Sequence, residues 1–157
     1  MDQLRSLEQI QRKRLKDPVS AADTKAQKLM QLRGVGPVSA WVLSQEFFGW
    51  RNFKNRRQVG ALAGLVGTPY SSGESSKELG ISKSGSKSVR SICVELAWCC
   101  VRFQPGSELT KWFTARFAHG SKRMRRIGIV ALARKLLIAL WKYLEKDEVP
   151  AGAMISK

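Results

Sequence analysis

The sequence predicts a mainly α, compact helical domain with a helix-hairpin-helix-like element and a long Ser/Gly-rich loop. Three observations predict it. Apolar residues recur at three- and four-residue spacing through most of the 157 positions. Gly and Pro punctuate those stretches where a helix must stop, and no series of segments alternates apolar with polar residues as half-buried strands would. The length fits one folded unit, and a hydrophobic fraction of 43% with five tryptophans supplies enough apolar surface to oppose the entropy of ordering it. The expected organisation is an exposed helix or the remnant of a preceding linker over 1–20, a domain over 21–148, and a loose tail over 149–157.

Each element has a local reason. From Leu4 to Leu15 the chain is polar and basic with sparse apolar positions, which suits an exposed helix, and Asp17-Pro18 stops it because proline lacks a donor and disfavours helix in the residue before it. A second helix is expected from about Ala22 to Arg33, with Gly34 able to take the left-handed conformation at its end. Pro37 suits the first turn of a third helix carrying Val38, Trp41 and Val42. Asn55 is a plausible cap for a fourth, whose Val59, Leu62, Ala63 and Val66 keep helical spacing. Between Gly67 and Gly85 Gly, Ser, Thr and Pro crowd together and no helical period survives, so a long loop is expected; loops of that length in a compact domain tend to be functional or disordered. A long helix resumes near Ser86, apolar on most sides; Gln104-Pro105-Gly106 breaks it. A short helix around Leu109 to Phe117 and a last one from Lys122 to Lys146 complete the expected fold.

Composition narrows the function. Twenty-eight Lys and Arg against 12 Asp and Glu give a formal charge of +16, which favours a polyanionic partner. Nucleic acid leads, because neutralising phosphates releases counterions and each contact adds sequence-independent affinity. An anionic membrane surface is the rival, but no segment reads as a basic amphipathic anchor, and no apolar run is long enough to span a bilayer. Cys93, Cys99 and Cys100 fall in one apolar stretch; an odd count, adjacent placement and no second Cys/His cluster argue against a disulfide framework or a zinc site and suit a reducing cytoplasm. The N-terminus shows no secretory leader.

Four motifs carry candidate chemistry. In Leu32-Arg33-Gly34-Val35-Gly36-Pro37, glycines Gly34 and Gly36 let the backbone approach a phosphate while the following helix start directs free amides at it, unless the segment is merely a tight turn. Arg51, Lys54, Arg56 and Arg57 interleave with Trp50 and Phe53, a pattern equally suited to phosphates with a stacked base and to a solvated basic face over core aromatics. Lys122, Arg123, Arg125 and Arg126 lie at the expected start of the last helix, where cations oppose the helix dipole; an anionic ligand would reverse that cost. Finally, Thr68-Pro69-Tyr70-Ser71-Ser72-Gly73 sets serines beside glycine. By local physics it is more often a flexible linker than a site that presents a nucleophilic hydroxyl. His119 is the only histidine, and Glu46, Glu74, Glu78, Glu95 and Glu108 form no evident two-metal cluster. This chain is therefore expected to bind no metal of its own.

Six ordered blocks go further than any single motif: Leu-Arg-Gly-Val-Gly-Pro at 32–37, Ala-Gly-Leu at 63–65, Thr-Pro-Tyr-Ser-Ser-Gly at 68–73, Gly-Ile-Ser-Lys at 80–83, Glu-Leu-Ala-Trp at 95–98, and Gly-Ile-Val-Ala-Leu-Ala-Arg-Lys-Leu-Leu at 128–137. Over roughly Leu29 to Leu144 the chain resembles the C-terminal transposase domain of the Piv-type insertion-sequence-one-ten family. The resemblance implies that Ser72, the serine preceding glycine, is the nucleophile for DNA strand exchange, with Ser71 the weaker choice. It implies that Lys83, Lys87 and Arg90 meet the scissile phosphate or its flanks, where charge stabilisation is what phosphoryl transfer most needs. It also implies a RuvC-like partner domain whose acidic residues hold Mg2+, homo-oligomers with composite sites, DNA as substrate, a guide RNA in studied relatives, and a cytoplasmic, nucleoid-associated setting. The alternative expectation is a non-enzymatic nucleic-acid-binding module left by a truncated or domesticated transposase.

Overall fold

The computed structural model describes residues 2–72, 75–81 and 85–156, the two strands by their backbone. It is mainly α, as the periodicity predicts. In chain order come α1 (Asp2–Lys16), α2 (Ala21–Met30), α3 (Pro37–Leu43) running into a π-helical turn (Ser44–Phe48), α4 (Arg56–Leu62), strands β1 (Gly67–Ser72) and β2 (Ser75–Ile81), α5 (Lys87–Phe103), α6 (Glu108–Phe117) and α7 (Lys122–Lys146).

Helix starts follow local chemistry. The side chains of Ser20, Asn55, Ser86 and Ser121 each accept from the amide three residues on, capping α2, α4, α5 and α7, which satisfies a donor that no intrahelical carbonyl can reach. α5 and α7 pack together, and the core forms where Leu29, Leu43, Phe47, Val59, Val89, Leu132, Leu137 and Leu140 converge. α7 is buried on most of its circumference over residues 128–143. Cys93 and Cys100 lie inside and Cys99 is half-buried; burial pushes the Cys93 thiol up to about 12, which leaves it an inert apolar filler.

α1 buries none of its residues and is held by its C-terminal end. Arg14 Nε donates to the fully buried Asp23 carboxylate at 3.0 Å, and Gln27 Nε2 donates to the carbonyls of Leu15 and Lys16 at 2.8 and 3.1 Å. The Val19 amide and Gln45 Nε2 also donate to Asp23, at 3.1 and 2.8 Å. Burial alone would raise this carboxyl, but Arg14 and the other donors outweigh it and hold Asp23 below its ordinary value.

Three expectations are corrected. The long loop over 67–85 contains an antiparallel hairpin: Pro69 pairs with Glu78, Tyr70 with Lys77, Ser71 with Ser76 and Ser72 with Ser75, with an irregularity between Gly67 and Pro69. Pairing uses backbone groups that every residue carries, so a Ser/Gly-rich composition does not register it. α2 ends at Met30 rather than Arg33, and the tail expected to be loose is the reason. Arg33 N donates to Met154 O and Ser156 N to Gln31 O, at 3.0 and 2.6 Å, and Leu32 bridges Ile155. Residues 31–33 therefore leave the helix to pair with the C-terminal segment. Gln104, expected only as part of a breaker, is buried as the clamp between them. Its Nε2 donates to Arg33 O and Met154 O, both at 2.9 Å, while its Oε1 accepts from Met154 N at 2.7 Å.

Candidate nucleic-acid interface

The α2–α3 junction has the conformation its glycines foretell. Gly34 has φ +93°, and a Cβ there would touch Phe103 Cβ and the Cys99 carbonyl at 3.4 and 3.5 Å. This glycine thus serves close packing onto the end of α5 as well as backbone freedom. Gly36 differs. It precedes α3 without a side-chain cap, nothing lies within 4 Å of where its Cβ would be, and Gly36, Pro37 and Val38 are exposed.

The cationic candidates lie elsewhere. Leu96 and Cys100 of α5 and Leu136 and Leu140 of α7 line, with Gly34 and Val35, one small cavity of about 30 Å³. At 1.5 Å per helical residue, Lys87 stands about 18 Å from Cys99, and Arg126 about 15 Å from Leu136. The starts of α5 and α7 are therefore removed from the Gly34–Gly36 turn. α4 joins them. Gly60 abuts Arg134 of α7, whose Nε would lie 3.0 Å from an added Cβ, and the Leu62 carbonyl closes on Gly85, leaving no room for a Cβ there. Gly85, at φ +79°, makes the turn into α5.

At that end α7 begins at Lys122, where the sequence places it, so Lys122, Arg123, Arg125 and Arg126 all occupy its first turns. All four are exposed, and the ion pairs among the described residues join Arg14 to Asp23, Lys25 to Glu145, Lys28 to Asp147 and Lys111 to Glu108, none of them involving this cluster. Four like charges at the positive end of a helix dipole repel one another and the dipole. At the start of α5, Lys87 is exposed and Arg90 Nη1 donates to Gly85 O at 3.3 Å.

One acidic residue enters this region unannounced by the sequence. Glu46, in the π-helical turn, accepts from Ser86 Oγ and Ser88 Oγ at 2.9 and 2.6 Å, bringing the first half of the chain onto the start of α5. No local pattern marks a contact spanning 40 residues, although π-helical turns do recur near functional sites. Ser72 closes β1 as the last paired position, opposite Ser75; its side chain, together with Lys83, lies outside the described residues. Among those residues no group of three or more His, Cys, Asp or Glu is placed to hold a metal ion. Asp23 accepts from Arg14 and Glu46 from two serine hydroxyls.

Comparison with known sequences decides the family. The model of the transposase IS116/IS110/IS902 family matches residues 26–111, more than half of the chain. The chain belongs to this family. A putative transposase of Sinorhizobium fredii is 44% identical over 128 residues, covering 81% of this chain and 32% of the relative. The transposase for insertion sequence element IS1328 of Yersinia enterocolitica is 32% identical over 77% of this chain and 36% of its own length, and that for element IS1111A of Coxiella burnetii is 28% identical over 83% and 35%. This family chain thus spans about a third of the relatives it matches. The matched segment runs from α2 through the start of α6 and includes the α2–α3 turn, the hairpin and the start of α5. No helix among the described residues is long and apolar enough to cross a membrane.

Proposed function

We propose that this chain is the DNA-handling, serine-nucleophile part of a transposase. Membership of the transposase family is the observation that carries the reading. The cations at the start of α7, which join no ion pair among the described residues, support it, because their placement is costly without an anion. In this scheme Ser72 Oγ forms a bond to a DNA phosphorus and the bond from phosphorus to O3′ breaks. The released O3′ takes a proton, and the Ser72 proton passes to a general base on a RuvC-like partner domain. The resulting 5′-phosphoserine conserves the phosphodiester energy for rejoining. Lys83, Lys87 and Arg90 balance charge on the phosphoryl oxygens, while Gly36, with Gly34 shaping the turn, and Lys122, Arg123, Arg125 and Arg126 hold flanking backbone. Mg2+ belongs to the partner domain, and further copies of the chain and a guide RNA complete the assembly.

The test is a nicked suicide substrate incubated with this chain and a RuvC-like domain from a relative, analysed on a denaturing gel. A covalent protein–DNA adduct is expected, lost in Ser72→Ala with binding retained within about twofold. An adduct formed by Ser72→Ala removes Ser72 from the mechanism. The formal charge of +16 also favours a second reading, a nucleic-acid-binding module without strand exchange. Adduct-free binding with a log-log salt slope near −0.9 per phosphate neutralised would support it.

A further inference from the structure

The segment joining the π-helical turn to α4 plays no part in the scheme above, yet it is built to present an aromatic ring. Trp50 is 66% exposed, more than Trp98 at 46% or Phe103 at 39%, and a large ring left this far in water exposes apolar surface that burial would favour. Its position is fixed from behind. A Cβ on Gly49 would lie 2.7 Å from Ala22 Cβ, and Lys25 Nζ donates to the Phe48 carbonyl at 2.9 Å. Phe47, Phe48 and Phe53 pack as a cluster with ring centroids 4.9 to 6.2 Å apart. The Arg51 guanidinium lies 4.4 Å from the centroid of Trp50 and 5.2 Å from that of Phe47, tying the exposed ring to the buried one.

The surroundings of Trp50 identify what it faces. An anchor for a protein groove would sit among apolar residues, whereas the exposed positions that follow Trp50 in the chain are Asn52, Lys54, Asn55, Arg56 and Arg57. The chain contains no acidic residue between Glu46 and Glu74. Arg56 also lines an open groove with Lys135 and Lys142 of α7, where Glu108 and Glu148 offset part of the charge, so the basic stretch reaches the next element with a net positive balance. An exposed ring beside a track of cations matches a strand of nucleic acid whose phosphates run along the charges and whose base leaves its stack.

We propose that Trp50, held by Arg51, is a stacking platform for an unpaired nucleobase, with Lys54, Arg56 and Arg57 holding the adjoining phosphates. This rests on the nucleic-acid reading above and names the form that this face takes: single-stranded rather than duplex. The test measures binding of a fluorescein-labelled 20-nucleotide oligo-dT and of a 20-base-pair duplex to the full chain, titrated with salt. Trp50→Ala should weaken oligo-dT binding by about fivefold or more, with the duplex changed less than twofold and the salt slope unaltered, because no charge is removed. Trp50→Phe should restore most of the loss, whereas Arg56→Ala combined with Arg57→Ala should flatten the slope. Circular dichroism melting should not move, since the ring is outside the core. Unchanged oligo-dT affinity in Trp50→Ala, or an equal loss on both probes, overturns the platform while leaving nucleic-acid binding standing. Wild-type chain that binds neither probe overturns the nucleic-acid reading itself, and the platform with it.

Discussion

Single residues show how tightly the scaffold is specified. Gly128, in the interior of α7, faces Phe117 so closely that a Cβ would lie 2.7 Å from the Phe117 Cβ and closer still to its ring. Gly128→Ala should therefore lower stability by about 1–3 kcal/mol, since overpacking forces α6 and α7 apart; a thermal melt at or above wild type would show that the helices yield freely. The glycine is legible in the sequence only as a member of a family block, because helix propensity alone would prefer alanine there. Asp23 gives a pH-dependent counterpart. Its folded-state carboxyl sits below the ordinary value of 3.8, so its contribution is complete above that value and fades as pH falls through the lower folded one. Asp23→Asn should cost about 2 kcal/mol at neutral pH, and the gap from wild type in chemical denaturation should shrink below pH of about 4. A gap independent of pH would mean that the charge at Asp23 contributes nothing.

At the scale of elements, α7 sets folding against binding. Lys122 and Arg123 oppose the helix dipole in the first turn, so replacing both with Glu should raise helix stability by about 0.3–1 kcal/mol each. If that turn holds phosphates, the same double variant should lose at least about tenfold in duplex DNA affinity and show a shallower salt slope. Higher melting temperature with undiminished affinity would remove the cluster from the interface. The span of this element was readable, because its apolar period and its basic start are local, whereas its cap, Ser121, was not singled out. The hairpin was not readable, as strands β1 and β2 have few apolar positions to alternate and are defined by pairing to each other. The π-helical turn was equally hidden, since Ser44 to Phe48 carry ordinary helical spacing and only the packing around them widens the helix.

For the whole molecule, the C-terminal segment and the α2–α3 turn form one unit through Gln104. Ending the chain after Val149 should remove Met154, the partner of Arg33 N and of Gln104 Oε1, while Gln104 Nε2 keeps the Arg33 carbonyl; the buried oxygen left unpaired should cost about 1–3 kcal/mol. Nucleic-acid affinity should stay within about twofold, because the cation cluster of α7 lies toward the other end; a collapse in affinity without a change in melting would place the tail in the interface. The sequence by itself determined the helical class, the Asn55 cap, the excess of positive charge and the family, because each depends on composition or on residues near one another in the chain. Only the tertiary structure decided where α2 stops, that β1 finds β2, that Glu46 reaches Ser86 and Ser88, and that the Gly34 turn and the α7 cations lie apart. Those outcomes depend on which backbone and side-chain groups meet across tens of residues, and a hydrogen-bonding group carries no mark of its distant partner until packing of the core brings the two together.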